Sequence, residues 1–109
     1  MNILLVCANG ASTGVLVEKM KRFAKEHEKL KTKEINIEAV SCESIENYLQ
    51  SHETDVVLIG PQIRYKEDEI NEICAPYSIG VEVINTQDYG RMDAPAVLKT
   101  AIKLYKNKK

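Results

Sequence analysis

The chain has 109 residues, of which 15 are Lys or Arg and 16 are Asp or Glu, so its formal net charge is −1. A domain of that length buries about two-thirds of its unfolded surface, and 44 % hydrophobic beside 28 % charged residues is the balance of a folded globular chain, not a disordered one. Near-neutral charge argues against nucleic acid as a partner, and the apolar runs at 3–6 and 56–59 fall far short of the roughly 20 residues that cross a bilayer.

Strand-like runs alternate with amphipathic segments along the chain. The first strand is Asn2 to Val6, followed by a small polar loop from Cys7 to Thr13. Leu16, Met20, Phe23, Ala24 and His27 then recur at helical spacing, which predicts a helix from about Ser12 to Leu30. Ile35, Ile37, Ala39 and Val40 mark a second strand, and Ile45, Tyr48 and Leu49 a short helix beginning after Ser41 or Ser44. Asp55 to Ile59 is a third strand closed by Gly60-Pro61, and its unbroken apolar run implies burial on both faces. Ile63, Ile70 and Ile73 line a polar helix, with Gln62 to Tyr65 either in that helix or in the loop ahead of it. Val81 to Ile84 forms a fourth strand, and Asn85 to Gly90 a loop or single helical turn. A last helix starts near Asp93, with Pro95 in its first turn, and ends among lysines that suit the negative end of its dipole.

This βαβαβαβα order, with right-handed crossovers, predicts an α/β fold over residues 1–109 as a single domain. Its expected form is one open four-stranded parallel sheet in the order 2-1-3-4, with helices on both faces, a flavodoxin-like or low-molecular-weight-phosphatase-like three-layer arrangement. Ligands of such sheets bind beyond the carboxyl ends of the strands at the switch point, where the first loop falls.

In that loop Cys7 ends the strand, and Asn9, Gly10, Ala11, Ser12 and Thr13 lead into the helix. Small residues there let backbone N–H groups turn inward as a nest, which together with the helix N-terminus makes a phosphate-sized anion site. The same field favours the nucleophilic thiolate of a cysteine beside it. Cys7 is then a candidate phosphoryl acceptor; the alternative is a small hydrophobe ending a buried strand before an ordinary tight turn. The loop is neither a Walker A nor a Gly-x-Gly-x-x-Gly turn. Low-molecular-weight tyrosine phosphatases place Cys-x5-Arg in this setting, but the residue six after Cys7 is Thr13, so the guanidinium that would stabilise a hydrolytic transition state is missing.

Three stretches carry a sharper likeness: 3–13, reading Ile-Leu-Leu-Val-Cys-Ala-Asn-Gly-Ala-Ser-Thr; 55–63, reading Asp-Val-Val-Leu-Ile-Gly-Pro-Gln-Ile; and 88–93, reading Asp-Tyr-Gly-Arg-Met-Asp. Over nearly its whole length the chain resembles the enzyme IIB component of the lactose/cellobiose (diacetylchitobiose) type of the phosphoenolpyruvate-dependent sugar phosphotransferase system. The resemblance implies a cytoplasmic phosphoryl carrier that works transiently at the inner face of the membrane. Cys7 would take phosphoryl from the phosphohistidine of a IIA protein and pass it to a sugar held by the membrane permease IIC, expected to be a β-linked disaccharide such as cellobiose, chitobiose or lactose. No cofactor is implied. Family members often carry Met where this chain has Ala11 and Ser where it has Gly14, which touches partner fit and the stiffness of the first helical turn.

Gln62 and Tyr65 follow the third strand and Tyr89 the fourth, so all three are candidates for the rim of the site or a partner contact; the alternatives are a turn into the helix and simple packing. The cysteines Cys7, Cys42 and Cys74 are odd in number and lack metal-type spacing, which excludes a disulfide framework or Cys-based zinc site, and His27 and His52 stand at unrelated spacing. No metal is expected. A start without a secretory-type signal fits a cytosolic chain, and transient hand-offs favour a monomer. Two other functions compete with the carrier: a phosphatase or arsenate-reductase relative that hydrolyses its cysteinyl adduct, and a non-catalytic IIB-like regulatory module.

Overall fold

Strands whose residues are apolar at every position need cover on both faces. In the computed structural model, which describes residues 1–8, 11–28, 30 and 33–107, the strands β1 (Asn2–Cys7), β2 (Asn36–Ser41), β3 (Val56–Ile59) and β4 (Gly80–Val83) form one parallel sheet in the expected order β2-β1-β3-β4. β1 and β3 are the interior strands, and residues 3–7 and 56–59 are all buried.

Successive residues of each strand serve opposite faces. Ile3, Leu5, Val56 and Leu58 pack with Leu16 and Met20 of α1 (Ala11–Glu26) and with Val97 and Leu98 of α5 (Ala94–Lys106). Leu4, Val6, Val57 and Ile59 pack with Ile45 and Leu49 of α2 (Ile45–Ser51) and with Ile70 and Cys74 of α3 (Glu67–Cys74). The sheet is thus the middle of three layers. Each fully buried leucine, such as Leu5 or Leu58 at 0 % exposure, contributes about 1.5–3 kcal/mol.

The boundaries depart from expectation where local hydrogen bonds compete. α1 stops at Glu26, not near Leu30, and the chain beyond it closes turns from Leu30 N–H to the His27 carbonyl and from Lys33 N–H to the Leu30 carbonyl. Asp55 stands ahead of β3, its side chain accepting from the Asn2 amide at 2.7 Å. The stretch 61–66, left open between helix and loop, is a 3-10 segment, Pro61–Lys66, running into α3. Residues 86–90 form a short helix, α4 (Thr86–Gly90), because Asn85 Oδ1 accepts from the Gln87 and Asp88 amides at 2.8 and 3.2 Å. Asp93 caps α5 through Oδ1 to the Ala96 amide, as its place before Pro95 suggests. Among the described residues, no helix is long and apolar enough to cross a membrane.

Candidate functional site

A parallel sheet brings the carboxyl ends of all its strands to one edge. Cys7 is the last residue of β1, in register with Ser41 of β2. Its carbonyl accepts from the Cys42 amide at 2.8 Å, which fixes the backbone, and its thiol donates toward the Val40 carbonyl at 3.8 Å. The residue is 5 % exposed. The sulfur therefore sits on backbone held by sheet pairing at the edge, just before the chain enters α1.

β3 ends beside it. The Gly60 amide donates to the Val6 carbonyl at 2.8 Å. A Cβ on Gly60 would lie 3.2 Å from Gln62 Oε1 and 3.9 Å from Cys7 Cβ. Absence of a side chain at 60 thus lets the Gln62 carboxamide fold back over the strand end toward Cys7. A cavity of about 490 Å³ opens on that side, lined by Gln62, Arg64, Tyr65, Thr86 and Tyr89. Tyr65 is 76 % exposed on its wall.

Thr13 lies in the first turn of α1, 2 % exposed, with its hydroxyl 3.0 Å from that of Tyr89. Tyr89 is 6 % exposed and belongs to the core between the sheet, α1 and α5 while also lining the cavity. Of the nine residues expected at the site, Cys7, Thr13, Gln62, Tyr65 and Tyr89 thus gather at the carboxyl edge. Asn9 and Gly10 lie outside the described residues, as do the side chains of Ala11 and Ser12, whose backbone opens α1.

The sequence separation of 76 residues hid the Thr13–Tyr89 pair, and nothing local to either residue announces it. Arg64 also lines the cavity and is not among the residues expected from the sequence; no local spacing points to it.

Other chemistry-bearing groups lie elsewhere. Cys74 is fully buried against the α2 and α3 side, and burial pushes its thiol up to about 11. His52 stacks on Tyr48 with ring centroids 4.1 Å apart, beside a larger cavity of about 630 Å³ at the amino ends of β1 and β2. That cavity lies at the amino edge of the sheet, the opposite end of β1 from Cys7, so its size does not make it the place for chemistry at the carboxyl edge. Among the described residues, no group of three or more His, Cys, Asp or Glu is arranged to hold a metal ion.

The family profile described as "PTS system, Lactose/Cellobiose specific IIB subunit" matches residues 2–100. A galactose-specific EIIB component of Lactococcus lactis subsp. cremoris is 37 % identical over 102 residues, 91 % of each chain. An oligo-beta-mannoside-specific EIIB component of Bacillus subtilis is 35 % identical over 105 residues, 96 % of each chain. Among solved structures, the cellobiose-specific phosphotransferase IIB component of Borrelia burgdorferi superposes with a TM-score of 0.77 at 39 % identity, covering 100 % of this chain and 94 % of that one. The lactose-specific IIB domain of Streptococcus pneumoniae superposes at 0.74 with 13 % identity, covering 93 % and 96 %, which is a likeness of fold. The chain belongs to the lactose/cellobiose family of IIB subunits and is a phosphoryl-carrying phosphotransferase component of a sugar phosphotransferase system.

Proposed function

We propose that Cys7 is the residue that carries the phosphoryl group, received from the phosphohistidine of a IIA protein and delivered to a sugar held by the membrane permease IIC. The supporting observation is its place: a cysteine ending interior strand β1, directly ahead of the α1 N-terminus, in a IIB subunit. In the first transfer the Cys7 sulfur forms a bond to phosphorus as the bond to the histidine nitrogen breaks, and the thiol proton ends on the departing imidazole. In the second, a sugar hydroxyl oxygen attacks phosphorus, the S–P bond breaks, the thiolate leaves, and the hydroxyl proton passes to a base on the acceptor side.

The donors expected for the phosphoryl oxygens are backbone N–H groups of the loop after Cys7 and of the first α1 turn, the groups a helix N-terminus offers an anion. Ser12 and Thr13 add hydroxyls. Gln62 and Tyr65, which line the cavity at the carboxyl edge, form the rim that meets a partner. Thr13 stands where a hydrolytic loop of this type carries Arg, which favours a phosphocysteine long-lived enough to be handed on. The carrier acts as a monomer in the cytoplasm, reaching the inner membrane face through IIC, and its sugar is a β-linked disaccharide.

Incubation with phosphorylated IIA adds one phosphoryl mass to the chain, labile to iodine, and Cys7→Ser abolishes it. Incorporation that persists in Cys7→Ser and maps to a histidine overturns the assignment.

A further inference from the structure

We infer that Tyr89 is a positioning residue for phosphoryl transfer, acting through its hydroxyl contact with Thr13 to hold the first turn of α1; the inference rests on Cys7 being the phosphorylated residue. The anion donors of that turn are N–H groups without intrahelical partners, so their aim depends on the turn staying wound. Among the described residues, two features of the turn work against it. Gly14 weakens a helix, a Cβ there would find nothing within 4 Å, and no acidic residue complements the dipole.

Among the described residues, a contact that ties this turn to the body of the protein is that between Thr13 Oγ1 and Tyr89 Oη, at 3.0 Å and buried. Its other end is well anchored. Tyr89 lies on α4, whose start is fastened by the hydrogen bonds that the Gln87 and Asp88 amides donate to Asn85 Oδ1, and its ring sits in the core with Ala94 and Val97. Buried from water, a hydroxyl pair is both stronger and costlier to break than an exposed one.

The chemistry of hydroxyls gives the pair a second property. Each can donate once and accept as well. With Tyr89 donating to Thr13, the Thr13 hydrogen remains available for an oxygen at the site, and a hydroxyl that accepts one bond donates the next more strongly. Phosphoryl on Cys7 supplies acceptor oxygens at the same loop. The pair then favours the phosphorylated state over the free thiol, which a contact serving stability alone would not do.

Tyr89→Phe keeps the ring and removes the hydroxyl. We expect the equilibrium for transfer from phosphorylated IIA to Cys7 to fall by about three- to tenfold, the effect of one hydrogen bond, and the phosphocysteine to hydrolyse faster. Thr13→Val lowers the equilibrium by a similar factor, the double variant lowers it no further than either single one, and Thr13→Ser recovers most of the loss. Urea unfolding of each variant establishes the folded fraction under assay conditions. A transfer equilibrium within twofold of wild type in folded Tyr89→Phe, or effects that multiply in the double variant, overturns the inference. Failure of the underlying assignment looks different: peptide mapping of the wild-type chain then finds no phosphoryl on Cys7.

Discussion

Replacing Gly14 by Ala isolates the conformational looseness of the α1 first turn. Gly14 lies within α1, its φ is not positive, and among the described residues a Cβ built on it meets nothing within 4 Å beyond its chain neighbours and its own helix backbone. The methyl therefore neither clashes nor packs, and the effect comes almost wholly from the glycine freedom lost in the unfolded chain and the better helix propensity of Ala. That is worth about 0.5–1 kcal/mol of added stability. With an unfolding entropy of roughly 2 cal/mol/K per residue, a chain of 109 residues gains about 2–4 °C in Tm. Urea titration followed by far-UV circular dichroism reads the change as a higher midpoint at unaltered slope. A midpoint that stays put or falls would refute the reasoning, because it would mean that the turn holds Gly14 in a conformation Ala resists.

Two further outcomes follow from burial and space. Gly80→Ala, the same chemical change, acts in the opposite direction: its Cβ would stand 3.0 Å from Leu104 Cγ and 3.2 Å from Cδ1, so α5 or the leucine must shift, costing about 1–2 kcal/mol in the same titration, and Leu104→Ala in the same chain recovers part of it. Cys74, with its thiol raised by burial from 9.0 to about 11, resists iodoacetamide at pH 8 until the chain unfolds; because the folded state holds its proton more tightly, stability falls between pH 9 and 11 by at most about 1.4 kcal/mol per unit, a slope that Cys74→Ala flattens.

Much of the architecture was legible because burial leaves a compositional mark. The doubly covered strands β1 and β3 appear as unbroken aliphatic runs, and α5 as an apolar stripe opened by Asp93 and Pro95. The place of Cys7 at the strand end was legible for a related reason: a residue closing such a run before small polar residues is placed by the geometry of a βα unit. The end of α1 was not, since His27 continues the apolar spacing while the following backbone closes into turns. The part played by Gly60 was hidden as well. Gly-Pro reads as a stop, and only the positions of Gln62 and Cys7 around the empty Cβ site show that the glycine also makes room. The Thr13–Tyr89 contact needs the sheet order and both helices in place before it exists, so no local pattern could carry it.

The Cys7 backbone is tied to β2 on one side while the end of β3 closes in on the other. A carrier whose cargo rides on a swinging arm can touch giver and taker together; on the role proposed for Cys7, a sulfur held at the end of a sheet strand meets them alternately at a single berth. Loading and unloading are then competing occupancies, and neither visitor profits from clinging. Throughput is governed by how promptly the spent giver lets go, so weak, quickly dissolving encounters serve such a protein better than tight ones.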